Sequence, residues 1–180
     1  MMREGHPDLS AFEGKDFSGA ERRQVVIIGT GPAGLTAALA RYRPRRIRVA
    51  WDGGSREQEV MLVAVGNGVC QGGGFHLFPD ARPDDGRLDL CIIDRLGALE
   101  IPGVVARVLR GTHAGCPKVV TERTEWVEIQ AADGGPFLFQ MDGEPRRADP
   151  PAPLRVGLRT AALPVIVGPG YGGPPPDRSG

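Results

Sequence analysis

The chain has 180 residues, with 22 Lys+Arg against 22 Asp+Glu, 27 Gly, 17 Pro and only 6% aromatic residues. That length suits one domain with ragged ends, and the balanced charge excludes the basic footprint of a nucleic-acid-binding protein. The Gly and Pro content favours short strands and turns over a helical bundle, and no apolar run approaches the ~20 residues of a membrane span.

Met1 to Arg23 is polar, aperiodic and without a signal-peptide core, so 1–23 reads as a disordered arm. Gln24–Ile28 is a buried-strand run that leads into Gly29-Thr30-Gly31-Pro32-Ala33-Gly34 and a helical pattern over Leu35–Tyr42, closed by Pro44. A second strand is expected over Arg46–Trp51, and Asp52 comes after the glycine loop by about 20 residues. This G-x-G-x-x-G context resembles the first βαβ unit of flavin- or nicotinamide-dependent oxidoreductases. On that reading Gly29, Gly31 and Gly34 would cradle a pyrophosphate of FAD or NAD, and Asp52 would hold the ribose. The residues beyond Trp51 weaken it. Asp52-Gly53-Gly54 is a hairpin signal, with a further strand over Glu59–Val65, whereas a dinucleotide fold needs helical crossovers between parallel strands.

Two glycine clusters come next, Gly66-Asn67-Gly68 and Gly72-Gly73-Gly74, then an acidic loop from Pro79 to Gly86. Clustered glycines are costly to order, which suits a backbone shaped to approach a ligand or hold an ion; a mobile hairpin connection is the alternative. Leu88, Leu90 and Ile92 alternate with Asp89, Cys91 and Ile93 as a buried strand would. Pro102 suits the first turn of a helix running to Arg110, with Glu100 ahead of it and Gly111 stopping it. Strands are expected over Thr124–Ala131 and Pro136–Met141, paired as a second hairpin through an Asp133-Gly134-Gly135 turn. An acidic turn, Asp142-Gly143-Glu144-Pro145, leads to a loop over Arg146–Pro153. Leu154–Arg159 and Leu163–Val167 complete the strands, and 168–180 reads as a disordered Pro/Gly tail. The fold class is therefore α+β, mainly β: an antiparallel β-sandwich with one or two packed helices.

Residues from about Leu39 to Val167 resemble the C-terminal domain of the diacylglycerol kinase family, the bacterial lipid and sphingosine-kinase-like enzymes. An ordered series of motifs carries the likeness: Arg41-Tyr42-Arg43-Pro44, Val63-Ala64-Val65-Gly66-Asn67-Gly68, Gly72-Gly73-Gly74, Pro79-Asp80-Ala81 with Asp84-Asp85-Gly86 and Leu88-Asp89, Gly111-Thr112-His113, and Asp142-Gly143-Glu144-Pro145. The resemblance implies a lipid-kinase-like β-rich domain over 24–167, with 24–52 as its dinucleotide-fingerprint-like segment. It implies ATP-dependent phosphorylation of a lipid hydroxyl with Mg2+. It implies Asp85 as side-chain ligand of the cation beside the backbone carbonyls of Arg82 and Arg87. It also implies Glu144, in the Asp142-Gly143-Glu144 carboxylate pair, as the base that accepts the hydroxyl proton.

The family's Gly-Gly-Asp-Gly-Thr nucleotide motif is absent from these residues, so the expected partner is a nucleotide-binding domain that holds the ATP phosphates, or a further copy of the chain. Cys70 and Gln71 between the glycine clusters, and Phe78 ahead of Pro79, also depart from the family pattern. The expected location is the cytoplasm, with at most peripheral contact with a membrane that carries the lipid. An oxidoreductase fragment and a non-catalytic lipid- or protein-binding module are the competing readings.

Plainer readings stand beside these. Asp84-Asp85-Gly86 is also a solvated type I turn, and Asp142-Gly143-Glu144 a common hairpin turn. His113 suits capping of the helix carbonyls; His6, His76 and His113 lack metal spacing. Trp51 and Trp126 read as core or sheet-face residues. Arg41, Arg43, Arg45, Arg46 and Arg48 read as a solvated helix end and strand edge, or as a contact for anionic headgroups. Cys70, Cys91 and Cys116 form no CxxC pair and read as reduced thiols.

Overall fold

The computed structural model describes residues 25–28, 45–71, 75–142, 144–150, 152–160, 162 and 166. Gly29, Gly31, Gly34, the helix expected over Leu35–Tyr42, Arg41 and Arg43 lie outside them. So do the arm 1–23, Gly72–Gly74, the tail, and all but Ile166 of the strand expected over Leu163–Val167.

Nine strands and one helix succeed one another among the described residues: β1 Val25–Ile28, β2 Arg45–Trp51, β3 Gly54–Gly66, β4 Leu88–Asp94, α1 Ile101–Leu109, β5 Val119–Thr124, β6 Trp126–Ala131, β7 Phe137–Met141, β8 Glu144–Ala148 and β9 Leu154–Gly157. The expected mainly-β, mostly antiparallel sandwich with a packed helix is what forms. Among these strands only β1 pairs in parallel, with β3 on one side and β7 on the other.

The 13-residue β3 organises the two layers. Val60 pairs at once with Arg45 of β2 and Asp94 of β4, so β2 and β4 lie on opposite edges of β3. Further along, Ala64 and Val65 pair with β4 and also with Ile27 and Ile28 of β1, so β1 comes after β2 along the same edge. The first half of β3 thus belongs to a layer β3-β2-β6-β9, and the second half to a layer β5-β4-β3-β1-β7-β8. A register shift between Val60 and Leu62 separates the halves. Straight, this strand would be about 40 Å long. Yet Asp52, before its start, lies 3.7 Å from Arg87, close beyond its end. The strand therefore folds over at the bulge, which is how a bulge commonly re-aims a strand.

Between the layers lies one apolar core, including Ile47, Val49, Val63, Val65, Leu90, Ile92, Val127 and Ile129. The bulge also resets the alternation. Met61 and Leu62 both face outward from that core, joining Ala64, Cys91 and Ile93 in a second cluster covered by α1 and by the 75–81 loop. Helix α1 starts as expected, with Pro102 in its first turn, and ends against Gly111 at φ +66°. Glu100 fastens the entry, its Oε2 accepting from the Gly97 amide and from Lys118 Nζ, each at 2.7 Å.

Four expectations are corrected. The two strands flanking Asp133-Gly134-Gly135 form no hairpin: β6 pairs with β2 and β9 in one layer, β7 with β1 and β8 in the other, so the turn carries the chain from layer to layer. The strand read as Thr124–Ala131 is two, broken at Glu125, and the pattern does not announce β5 at all. The loop expected over Arg146–Pro153 begins instead as strand β8, an outer strand whose one neighbour among the described residues is β7, with Pro145 opposite Gln140. Proline is tolerated there because one side of an edge strand needs no ladder donor. His113 does not cap α1. Its Nε2 lies 3.0 Å from the Leu77 carbonyl, while the His76 backbone amide and ring meet the carbonyls of Val108 and Leu109 at the helix end.

Candidate functional site

Three adjacent parallel strands end in register. Met141 of β7 pairs with Ile28 of β1, and Ile28 pairs with Val65 of β3. Their carboxyl ends, together with the amino end of antiparallel β4, form one rim of the sheet. The 142–144 turn, the Gly66-Asn67 segment and the acidic loop ahead of Leu88 all open there. Neighbouring strands lie about 4.8 Å apart, so the turn after β7 stands about 10 Å from the end of β3 and about 14 Å from the start of β4. Glu144 and the acidic loop therefore share a rim without sharing a ligand position.

Asp142 and Gly143 make the two-residue connection between Met141 and Glu144, a register pair. Asp142 adopts φ +48°, in the left-handed region that Asp tolerates and that a tight hairpin of the primed type demands. Glu144 is left at the head of β8 with its side chain 74% exposed, and Arg146 lies 3.1 Å away. A carboxylate so placed is accessible from outside.

The acidic loop is built around Asp85. Its side chain is only 4% exposed. Oδ1 accepts the Arg87 amide at 2.9 Å across Gly86, which takes φ +72°. Oδ2 is ion-paired with Arg123. Asn67 reaches in from the end of β3, and its amide, turned NH2-inward, donates to the carbonyls of Arg82 at 3.2 Å and Arg87 at 3.0 Å. Two carbonyl oxygens from residues five apart thus converge on one small group, with a carboxylate beside them. A hard divalent cation takes such oxygen donors, and the Asn67 amide oxygen would turn in to join them. Among the described residues no set of three or more His, Cys, Asp or Glu side chains could hold a metal, so a cation here depends on backbone carbonyls. Asp84 stands outside the set, its Oδ1 3.5 Å from Arg82 Nε.

Next to the loop, Asp89 of β4 faces Gly66 of β3 and Arg123 of β5 across the ladder. It is 6% exposed and its Oδ2 has no partner among the described residues. Burial, and then the charge of Asp80, push its carboxyl up to about 6. Phe78 packs against Gly66, where an added Cβ would meet its ring at 2.4 Å. A cavity of about 410 Å3 opens beside it, lined by Phe78, Asp80, Asp89, Thr121 and Arg123 among others. Beneath α1 a separate crevice of about 30 Å3 is walled only by apolar side chains, Met61, Leu62, Phe75, Ile93, Ile101 and Val104 among them.

Asp52 is engaged otherwise than a dinucleotide site requires. Its Oδ1 accepts the Thr124 hydroxyl at 2.5 Å and its Oδ2 the Glu125 amide at 3.3 Å. The Thr124 bond above all, with that amide and the Arg87 charge, holds its carboxyl below the ordinary range. Strand directions count against the same reading. β1 runs parallel to β3 and β2 antiparallel to it, so the strands before and after the glycine segment oppose each other. A nucleotide-binding βαβ unit requires them parallel. Gly29, Gly31 and Gly34 lie outside the described residues.

Arg82 and Arg87 offer carbonyls, not side chains, to the loop. Arg45 ties to Asp133 at 2.5 Å and to the Pro136 carbonyl, while Arg46 and Arg48 are exposed on β2. Trp51 packs against the inter-layer core and Trp126 is 43% exposed. Cys70, Cys91 and Cys116 are free thiols, Cys91 pushed up to about 12 by burial. Two residues of the rim escape sequence reasoning. Asn67 is visible there only as the residue inside a Gly-x-Gly, and Arg123 lies in a stretch with no legible periodicity.

A family model described as the YegS C-terminal NAD kinase beta sandwich-like domain matches residues 30–167. A "Probable lipid kinase YegS-like" of Stenotrophomonas maltophilia (strain K279a) is 33% identical over 114 residues, covering 62% of this chain and 36% of that protein. A "Diacylglycerol kinase" of Staphylococcus carnosus (strain TM300) is 32% identical over 98 residues, covering 54% of this chain and 31% of that protein. The chain thus spans about a third of the length of these curated relatives. A solved structure described as "A putative diacylglycerol kinase from Bacillus anthracis str. Sterne" shares the fold with a TM-score of 0.54 at 20% identity, over 71% of this chain and 41% of that one.

Proposed function

The chain belongs to the YegS C-terminal NAD kinase beta sandwich-like domain family, and we propose that it acts as the substrate-side domain of an ATP-dependent lipid kinase, one that phosphorylates a lipid hydroxyl as a diacylglycerol kinase does. On this reading the domain runs over 24–167, with 1–23 and 168–180 flanking it. The match covers only 36% and 31% of the two relatives, which leaves room in them for a nucleotide-binding domain, and on this reading such a domain supplies the phosphate cradle. The chain alone would then transfer no phosphoryl group.

The observation that carries this reading is the shared rim. Glu144 stands at one end of it and the oxygen-lined loop of Arg82, Asp85 and Arg87 at the other, about 14 Å apart. Glu144 takes the role of proton acceptor. Exposed at the head of β8, with Arg146 beside it, it would draw the proton from a lipid hydroxyl presented above the turn. Asp142 sets the turn that aims it. The Arg82 and Arg87 carbonyls, the Asp85 carboxylate and the Asn67 amide oxygen would hold Mg2+; when bound, that ion supplies fixed positive charge that draws the loop together. A role for it in shaping the rim, rather than at the reacting phosphorus, is consistent with the separation. Leu99 and Leu109, exposed at the two ends of α1, are where hydrocarbon of the lipid would be met. Among the described residues no helix is long and apolar enough to cross a membrane. On this reading the chain meets its lipid at a membrane surface.

Grafting residues 30–167 in place of the matched portion of the Stenotrophomonas relative tests the proposal. The chimaera should transfer phosphate from ATP to diacylglycerol in mixed vesicles, while the 180-residue chain alone should not. A folded, ATP-binding chimaera that phosphorylates no lipid would overturn it.

A further inference from the structure

Asp85 and Asp89 are both closed from solvent, at 4% and 8% side-chain exposure, and one guanidinium stands between them. Arg123 is ion-paired with Asp85 Oδ2, while its Nε lies 4.0 Å from Asp89 Oδ1. Asp89 Oδ2 has no partner among the described residues, and the like charge of Asp80 acts on the same carboxyl. Two buried carboxylates thus share one cation, and an uncompensated buried carboxylate is strongly unfavourable. Arg123 is itself 46% exposed and, with Asp89, lines the cavity of about 410 Å3, so its head can move without disturbing the backbone. Asp89 and Arg123 are register partners on β4 and β5, which keeps them within reach of each other wherever the guanidinium points.

We propose that Arg123 is an exchangeable counter-ion for the acidic loop: it neutralises Asp85 while the loop holds no cation, and passes to Asp89 when a divalent cation takes Asp85. This rests on the reading of Arg82, Asp85 and Arg87 as a cation loop. Asp89 is then a positioning residue. It touches neither cation nor substrate, but receives the arginine that the cation displaces, and so lowers the work of displacing it. The exchange leaves each buried carboxylate with one positive partner in the loaded state, where the empty state satisfies only one of the two.

A double-mutant cycle on the whole chain, stripped with EDTA and titrated with Mg2+ by calorimetry, reads this directly. Asp89→Asn should weaken Mg2+ binding about tenfold in the wild-type background, because the displaced arginine has no acceptor. In an Arg123→Gln background the same change should alter binding less than about twofold. Equal effects in both backgrounds would mean that Asp89 acts only as a nearby charge, and would overturn the exchange. Should a variant fold poorly, the side-chain Nε–Hε resonance of Arg123 in the wild type gives a second reading. Saturable movement with Mg2+ is expected; a resonance unmoved at saturation contradicts it. Failure of the wild type to bind Mg2+ at all would remove the cation loop itself and overturn the exchange with it, an outcome distinct from binding with additive effects.

Discussion

Asp52 Oδ2 lies 3.7 Å from Arg87 Nη1, although the strand between them has 13 residues. The contact closes the sandwich. It joins the tip of the β2–β3 hairpin to the loop that opens the rim, with Thr124 and Glu125 completing the junction where β5 passes into β6. The ion pair itself is half exposed and contributes little. The Thr124 hydroxyl, fully buried, is the stronger tie.

Thr124→Val should therefore destabilise the fold by about 1–3 kcal/mol, since it leaves a buried hydrogen-bonding group near Asp52 and Trp126 unmet. Urea denaturation would measure it. A change within a few tenths of a kcal/mol would mean that water replaces the hydroxyl.

Because Asp52 is so engaged and β1 and β2 run in opposite directions, titration with FAD or NAD should show no saturable binding. Absorbance and fluorescence of the purified chain would check this. Saturable yellow binding lost in Gly31→Val would restore the dinucleotide reading.

Much of this architecture is legible in the sequence, for identifiable reasons. Asp52-Gly53 announces a hairpin, Leu88, Leu90 and Ile92 recur at every second position because that face of β4 meets the core between the layers, and Pro102 and Gly111 bracket α1. Strand β5 escapes notice because only Val119 and Thr124 of its six residues are buried; its strand character comes from pairing with β4. Strand β8 escapes because it is an exposed edge carrying a proline, and the first half of β3 because Gly54-Ser55-Arg56-Glu57-Gln58 is polar. In the candidate site, the oxygen loop and the Asp-Gly-Glu turn stand out as motifs. The convergence of Asn67 on two carbonyls, and the placing of Arg123 between two carboxylates, depend on tertiary pairing that no local pattern encodes.

Gly66→Ala should cost about 1–3 kcal/mol, because its Cβ would enter the Phe78 ring. Thermal denaturation of the single variant and of Gly66→Ala/Phe78→Leu would show non-additive effects, the smaller side chain relieving part of the overlap. Strict additivity would mean that Phe78 moves aside freely.

His113 is fully buried, and burial lowers its pKa, the bond to the Leu77 carbonyl opposing this in part. A histidine with a depressed folded pKa takes up its proton more readily when unfolded. Its contribution to stability is thus complete above the ordinary value of about 6.5 and is lost as pH falls through the folded pKa. Between pH 7.5 and 5 the midpoint of thermal unfolding should fall less in His113→Asn than in the wild type. Parallel curves would show that His113 does not titrate on unfolding in this range.

The most direct test of the lipid-kinase account is Glu144→Gln in the chimaera, measured as phosphate transferred from ATP to diacylglycerol at saturating substrate. Removal of the proton acceptor should lower kcat about 10²–10⁴-fold with ATP binding intact, and Asp142→Asn should fall between the variant and the parent. Unchanged turnover in Glu144→Gln would contradict the account, leaving the rim a shared edge without a shared reaction.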